Sequence, residues 1–252
     1  MLMMTVLESS NMQITKLDNT DSTNNWVANH EHELDSTSLV YCHRQNAGRG
    51  QRGNSWESEP GKNITASLLL HPENYGAQHQ FAISEAVALA ITDYLKNKGV
   101  DAEIKWPNDI YVGNRKICGI LVEHVVTGRN LTRTIAGFGI NINQKEFLSD
   151  APNPVSLSQI TGAEYEIDRE IETVSEFLEK YLTGIYNREK LHELFLQNIW
   201  RKDDAYYPFF DIKKDEKILG RIENIELDGT LSIVTEEGEL RKFAFKEIEF
   251  II

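Results

Sequence analysis

Apolar residues recur at helical spacing over Gln78 to Lys98. Phe81, Ala82, Ala86, Leu89, Ala90 and Leu95 predict one buried stripe, and Gly99 a C-terminal stop. A second helical pattern runs through Ile171, Val174, Phe177, Leu178, Tyr181, Leu182 and Ile185, and a third helix is predicted over about Asn187 to Trp200. Asp21-Ser22-Thr23-Asn24 offers several N-caps ahead of a short helical stretch through Trp26 and Val27. Between these lie strand patterns: Ser38 to Cys42, Ile64 to Leu70, Ala102 to Trp106, Ile110 to Val112, Ile117 to Val126 and Leu131 to Asn143. The turns Gly113-Asn114 and Thr127-Gly128 join the last three into a meander. Residues 43–63 read as loop, with Pro60-Gly61 as a turn, and Pro152 and Pro154 mark a second loop.

After Tyr207-Pro208 the pattern changes to short alternating strands around the hairpin turns Asp228-Gly229 and Glu237-Gly238. We therefore expect a domain over 1–204 and a small β module over 205–252. The fold class is α+β: a mixed or antiparallel sheet with helices on one face.

Composition narrows the function. The chain has 252 residues, 40% of them hydrophobic and 26% charged, as in ordinary globular proteins. No apolar run approaches the ~20 residues that span a bilayer. Met1 to Ile14 has neither a basic start nor an apolar stretch of leader length, so a cytoplasmic location without membrane attachment is expected. Two cysteines, Cys42 and Cys118, lack metal-ligand spacing and are expected to be buried thiols, with no metal site. The net charge of −13 opposes nucleic-acid binding, which needs a basic stripe to neutralise phosphates. Basic residues cluster once, at Arg44, Arg49 and Arg52.

That cluster sits in a glycine loop. Gly48-Arg49-Gly50-Gln51-Arg52-Gly53 matches GxGxxG formally, but the dinucleotide fingerprint needs a helix directly after it, and Asn54 to Gly61 is poor helix sequence. A Walker A Gly-Lys-Ser/Thr is absent as well. What remains is a backbone that can approach a ligand closely, with guanidinium charges suited to carboxylate or phosphate; alternatively the loop is plain solvated surface. Lys105-Trp106-Pro107-Asn108-Asp109 places an amine at a strand end beside polar groups. Gly137-Phe138-Gly139-Ile140-Asn141 puts two glycines inside a strand, which signals a bulge or a ligand against the backbone.

Taken together these motifs resemble the biotin–protein ligase family. The resemblance rests on Asp-Ser-Thr-Asn at 21–24, Gln45 with Ala-Gly-Arg-Gly-Gln-Arg-Gly-Asn at 47–54, and Lys-Trp-Pro-Asn-Asp at 105–109. It continues with Lys-Ile-Cys-Gly-Ile-Leu-Val-Glu at 116–123 and Gly-Phe-Gly-Ile-Asn at 137–141. It implies a class II synthetase-like biotinyl/lipoyl ligase fold with a C-terminal SH3-like β-barrel. The activity implied is ATP-dependent biotinylation of a lysine on a biotin carboxyl carrier protein through biotinyl-5′-AMP, releasing AMP and pyrophosphate. Biotin and ATP would be the substrates, with Mg²⁺ bound through phosphates. Ser22, Thr23, Gln45, Arg49, Gly50, Gln51, Lys105, Gly119, Gly137 and Gly139 match biotin-site positions, with Lys105 at the carboxylate and α-phosphate. Many relatives carry Arg where Gln51 stands. Arg52, Trp56, Asn108, Lys116 and Asn141 match the nucleotide side, and Lys105 and Arg49 carry the catalytic charge. Some relatives add an N-terminal helix-turn-helix domain; this sequence resembles the monofunctional type, a monomer or weak homodimer. The alternatives are a lipoate–protein ligase of the same fold, whose arginine- and glycine-rich motif differs, and a non-enzymatic biotin-sensing module.

Overall fold

A computed structural model describes residues 12–149 and 153–252; the side chain of Arg52 also lies outside the described residues. The leader reading over residues 1–11, and Pro152 of the second loop, fall outside them. Helix α1 (Thr23–His30) follows β1 (Gln13–Thr20), and β2 (Thr37–Gln45) and β3 (Ile64–Leu70) come next. After α2 (Phe81–Asn97) the chain runs β4 (Glu103–Lys105), β5 (Asp109–Val112), β6 (Arg115–Thr127) and β7 (Asn130–Ile140). Then come α3 (Leu157–Thr161), α4 (Ile167–Leu182) and α5 (Arg188–Leu196). The chain ends in β8 (Tyr207–Asp211), β9 (Glu216–Ile225), β10 (Leu231–Thr235), β11 (Leu240–Phe243) and β12 (Ile248–Phe250).

The first seven strands form one mixed sheet in the order β1-β2-β3-β7-β6-β5-β4, with β1 parallel to β2 and every other pairing antiparallel. Ile64, Ala66, Leu68 and Leu70 of β3 belong to the main core, while Leu69 belongs to a small cluster with Val27 of α1. That alternation follows from the two-residue period of a strand. It fixes two faces. The long helices α2 and α4 cover one of them, as the sequence pattern predicts. The short α1 lies on the other, and the site lies beside it.

Helix α2 is buried on nearly all sides because it is held between the sheet, α4 and α5; a helix apolar all round is a core helix. Strand β1 and helix α3 have no counterpart in the sequence reading. β1 is an edge strand whose residues are mostly half-buried or exposed, so its pattern is faint. Helix α3 does carry a legible start, a capping box between Ser156 and Gln159. Strands β8–β12 form a separate five-stranded antiparallel sheet, order β11-β10-β9-β8-β12, whose turn glycines Gly229 and Gly238 hold positive φ. Phe209, Ile225, Leu231 and Phe243 of that sheet join the same core cluster as α2. Cys42 and Cys118 are free and buried, as expected. No helix among the described residues is long and apolar enough to cross a membrane.

Candidate active site

The register of the large sheet assembles the site. Cα partners run Thr65↔Gly139, Gly139↔Gly119, Gly119↔Asp109 and Asp109↔Lys105. Directly paired residues share a face, so a strip of two glycines lies between a threonine and a carboxylate–amine pair. The next row on that face pairs Ser67 with Gly137 and Gly137 with Leu121. Three missing side chains leave a trough, and a cavity of about 840 Å³ stands over it. Every expected site residue whose side chain is described lines this cavity: Ser22, Thr23, Gln45, Arg49, Gly50, Gln51, Trp56, Lys105, Asn108, Lys116, Gly119, Gly137, Gly139 and Asn141.

The ladder is unbroken at Gly137 and Gly139; the register shift in that strand pair lies at Val125/Val126. The glycines therefore mark close approach rather than a bulge. A β-carbon at position 137 would stand 2.1 Å from Asn24 Oδ1, and one at 139 would stand 2.2 Å from Trp56 Cε2. The indole of Trp56 lies on the glycine strip, its Nε1 buried without a hydrogen-bond partner among the described residues.

One end of the trough is a polar cluster at the start of α1. Ser22 is the N-cap, yet its hydroxyl makes no capping bond, and its side chain is left to the cavity wall. The Thr23 amide donates to Gln45 Oε1 at 2.8 Å, and Ser67 Oγ lies 2.7 Å from Thr23 Oγ1 and 2.6 Å from Asn24 Oδ1. The glycine loop forms the rim. Trp56 N donates to Gly48 O and Gly50 N to Asn54 O, at 2.9 and 2.7 Å, so residues 48–56 fold back as a hairpin with a 3₁₀ turn, Gln51–Gly53, at its tip. Arg49 reaches from this hairpin to Glu123 on β6, 2.7 Å away, and donates to Asn25 Oδ1.

The opposite end carries the amines. Lys116 Nζ pairs with Asp109 Oδ1 at 2.7 Å and lies beside Gly119, 5.7 Å from the Trp56 ring centroid. Lys105 Nζ faces the rings of Phe250 and Tyr111, at 4.8 and 5.3 Å from their centroids. Burial pushes the Lys105 ammonium below the usual lysine value, against the opposing pull of Asp109. Asn108 Nδ2 donates to Ile120 O, holding β5 to β6, and Asn141 Nδ2 donates to Val155 O, its Oδ1 being buried with no partner among the described residues.

Sequence reasoning missed Asn24 and Glu123, although both stand inside the quoted motifs. It also missed Lys246, Ile248, Glu249 and Phe250, which bring the C-terminal sheet into the cavity wall. No local signal marks those four; they reach the site only through the docking of β12. Trp106, fully buried, anchors that docking by donating from Nε1 to Gly229 O at 3.0 Å.

This chain is similar to several known proteins. The bifunctional ligase/repressor BirA of Salmonella typhimurium is 29% identical across 96% of this chain and 75% of its own length. The biotin–[acetyl-CoA-carboxylase] ligase of Paracoccus denitrificans is 34% identical over 49% of this chain and 52% of its own. In shape, the biotin protein ligase of Aquifex aeolicus in complex with biotin and ATP superposes with a TM-score of 0.77, covering 94% of this chain and 97% of that one at 22% identity, which establishes the fold. Residues 15–141 match the Biotin/lipoate A/B protein ligase family, a span that holds the α1 cluster, the glycine hairpin, both amines and the glycine strip. This chain belongs to that family.

Proposed function

We propose that the chain activates biotin with ATP to biotinyl-5′-AMP and transfers the biotinyl group to a lysine of an apo biotin carboxyl carrier protein, working in the cytoplasm. The observation that carries this reading is the trough itself. A flat glycine strip lies between an amide- and hydroxyl-rich end and a cationic end, which suits a small ring with a carboxylate tail. In the first step the biotin carboxylate attacks the α-phosphorus, and the bond to the bridging oxygen of pyrophosphate breaks. The carboxylate is already ionised at neutral pH, so no general base is needed. The barrier is repulsion between anions, which preorganised positive charge lowers.

The α1 end, with Ser22, Thr23 and Gln45, would take the ring's polar edge, and Gly119, Gly137 and Gly139 its flat face. Arg49, Gly50 and Gln51 would cover it. The sequence reading put Lys105 at the carboxylate and Lys116 on the nucleotide side. The geometry favours the reverse: Lys116 lies against the glycine strip beside Gly119, whereas Lys105 stands at the row's outer end under Phe250. Trp56, Asn108 and Asn141 remain with the nucleotide. Asp109 is engaged by Lys116, so Mg²⁺ would be held through the ATP phosphates, where it would neutralise their charge. Residues 205–252 would act as a module completing the cavity of 1–204 through Lys246 and Phe250.

The test is incubation with labelled biotin, ATP and a biotin carboxyl carrier domain, with lipoate as control. Label transferred to the carrier lysine from biotin alone supports the reading; transfer from lipoate alone, or from neither, defeats it.

A further inference from the structure

We infer that Glu123 is a positioning residue that fixes the hydrogen-bond polarity of the closed end of the pocket, so that the Thr23 hydroxyl is left to accept from a ligand N–H. The inference rests on the proposed biotin chemistry, because the ligand's ring must carry an N–H.

The protons available along one chain of contacts fix this polarity. An ionised carboxylate can only accept. Glu123 Oε2 at 2.8 Å and, more weakly, the Leu121 carbonyl at 3.4 Å accept from the Asn24 side-chain nitrogen, which turns that amide's NH₂ toward β6. Asn24 Oδ1 then faces Ser67 Oγ at 2.6 Å, and an amide oxygen cannot donate. The single proton of Ser67 is therefore committed to Asn24. The second contact of Ser67, 2.7 Å to Thr23 Oγ1, must take its proton from threonine. The Thr23 hydroxyl has a second, longer acceptor in Gln45 Oε1 at 3.2 Å, but that oxygen is already served by the Thr23 amide at 2.8 Å; with the proton given to Ser67, the lone pairs of Thr23 are what this end of the trough presents.

Packing keeps the relay from rearranging. Ser67, Thr23 and Asn24 are each at most 4% exposed. Gly137 lies so close beneath Asn24 that its missing β-carbon would overlap Oδ1. The same carboxylate holds Arg49 of the hairpin at 2.7 Å, so one group ties the lid to the ring-recognition end.

The experiment compares Glu123→Ala, Glu123→Gln and Ser67→Ala in biotin-dependent ATP–pyrophosphate exchange, each variant checked by circular dichroism. Removing one partner of a hydrogen bond to a charged group is worth roughly 10- to 100-fold, and the half-exposed Glu123 carboxylate belongs at the lower end of that range. Glu123→Ala should raise KM for biotin by that factor with kcat changed less than about threefold. Glu123→Gln keeps an accepting oxygen for Asn24 and should restore most of KM, and Ser67→Ala should reproduce the rise without touching a charge. An unchanged KM in Glu123→Ala, or a glutamine variant as poor as alanine, overturns the relay. A second readout needs no ligand. The Asn24 side-chain amide protons, followed by NMR, should exchange about tenfold faster with water in Glu123→Ala than in wild type; equal rates overturn the relay. A wild-type protein that exchanges no pyrophosphate with biotin would instead defeat the functional reading, with the amide measurement still deciding the relay.

Discussion

The indole of Trp56 rests on Gly139, so closely that a β-carbon on the glycine would come within 2.2 Å of the ring. Gly119, the strand partner of Gly139, meets the same ring from below. The side chain expected at the nucleotide therefore sits over the floor proposed for biotin. Its attachment is a hairpin held by few backbone bonds, which lets it move at low cost.

Gly139→Ala follows from that contact. The added methyl group displaces the indole and roughens the floor, while the hairpin can yield, so we expect a folded protein by circular dichroism. The KM for biotin should rise at least about tenfold, the scale of one misplaced methyl in a fitted site. Exchange kinetics with an unaltered KM would show that no ligand lies on this strip.

The two amines are separable. Losing one preorganised charge donor costs about 10²–10³-fold. Lys116→Ala should lose at least the lower factor in pyrophosphate exchange, and Lys105→Ala less. Parallel kcat measurements on the two variants check the order. A larger loss at Lys105 would reinstate the assignment that the sequence motif suggests.

How far the site was legible depended on distance along the chain. Gly137 and Gly139 stood out because glycine is costly inside a strand, and the register then showed what the gap serves. Strand β3 was readable to its ends, because seven buried residues left no ambiguity. By contrast, β1 at the sheet edge lacks a strong apolar code. The order of Lys105 and Lys116 along the trough was hidden, since it depends on a register shift between Ile110 and Tyr111 that no local pattern announces. Phe250 was hidden for a plainer reason: its partner Lys105 lies on a different sheet, and only tertiary docking joins them.

Phe250→Leu tests that docking contact. The substitution keeps apolar bulk but removes the ring face presented to the Lys105 ammonium, an interaction worth about 0.5–2 kcal/mol. Exchange activity should fall by roughly 2- to 30-fold with the thermal midpoint nearly unchanged. Wild-type activity would mean that β12 packs beside the cavity without tuning it.

The attachment of the C-terminal sheet should also depend on pH. His192 of α5 directs Nδ1 to Glu85 of α2 at 2.5 Å and Nε2 to the carbonyl of Ile225 on β9 at 2.9 Å. The carbonyl can only accept, and with Glu85 ionised so does the carboxylate, so that only the doubly protonated ring serves both. Burial alone would lower the imidazole's value, but the hydrogen bond and charge of Glu85 outweigh it and hold the group above its ordinary 6.5. Burial pushes the Glu85 carboxyl up as well, which taken alone argues for a neutral acid. The Ile225 carbonyl is a fixed acceptor for Nε2–H in either state, and the charged pair is the state in which Nδ1 donates as well. A raised histidine contributes stability that is complete below pH 6.5 and is lost as pH climbs through the folded-state value. Thermal midpoints followed upward from pH 6.5 should therefore decline in wild type, and the decline should flatten in His192→Asn, which cannot titrate. Parallel declines in the two proteins would place the pH sensitivity elsewhere and leave the neutral pair as the better description.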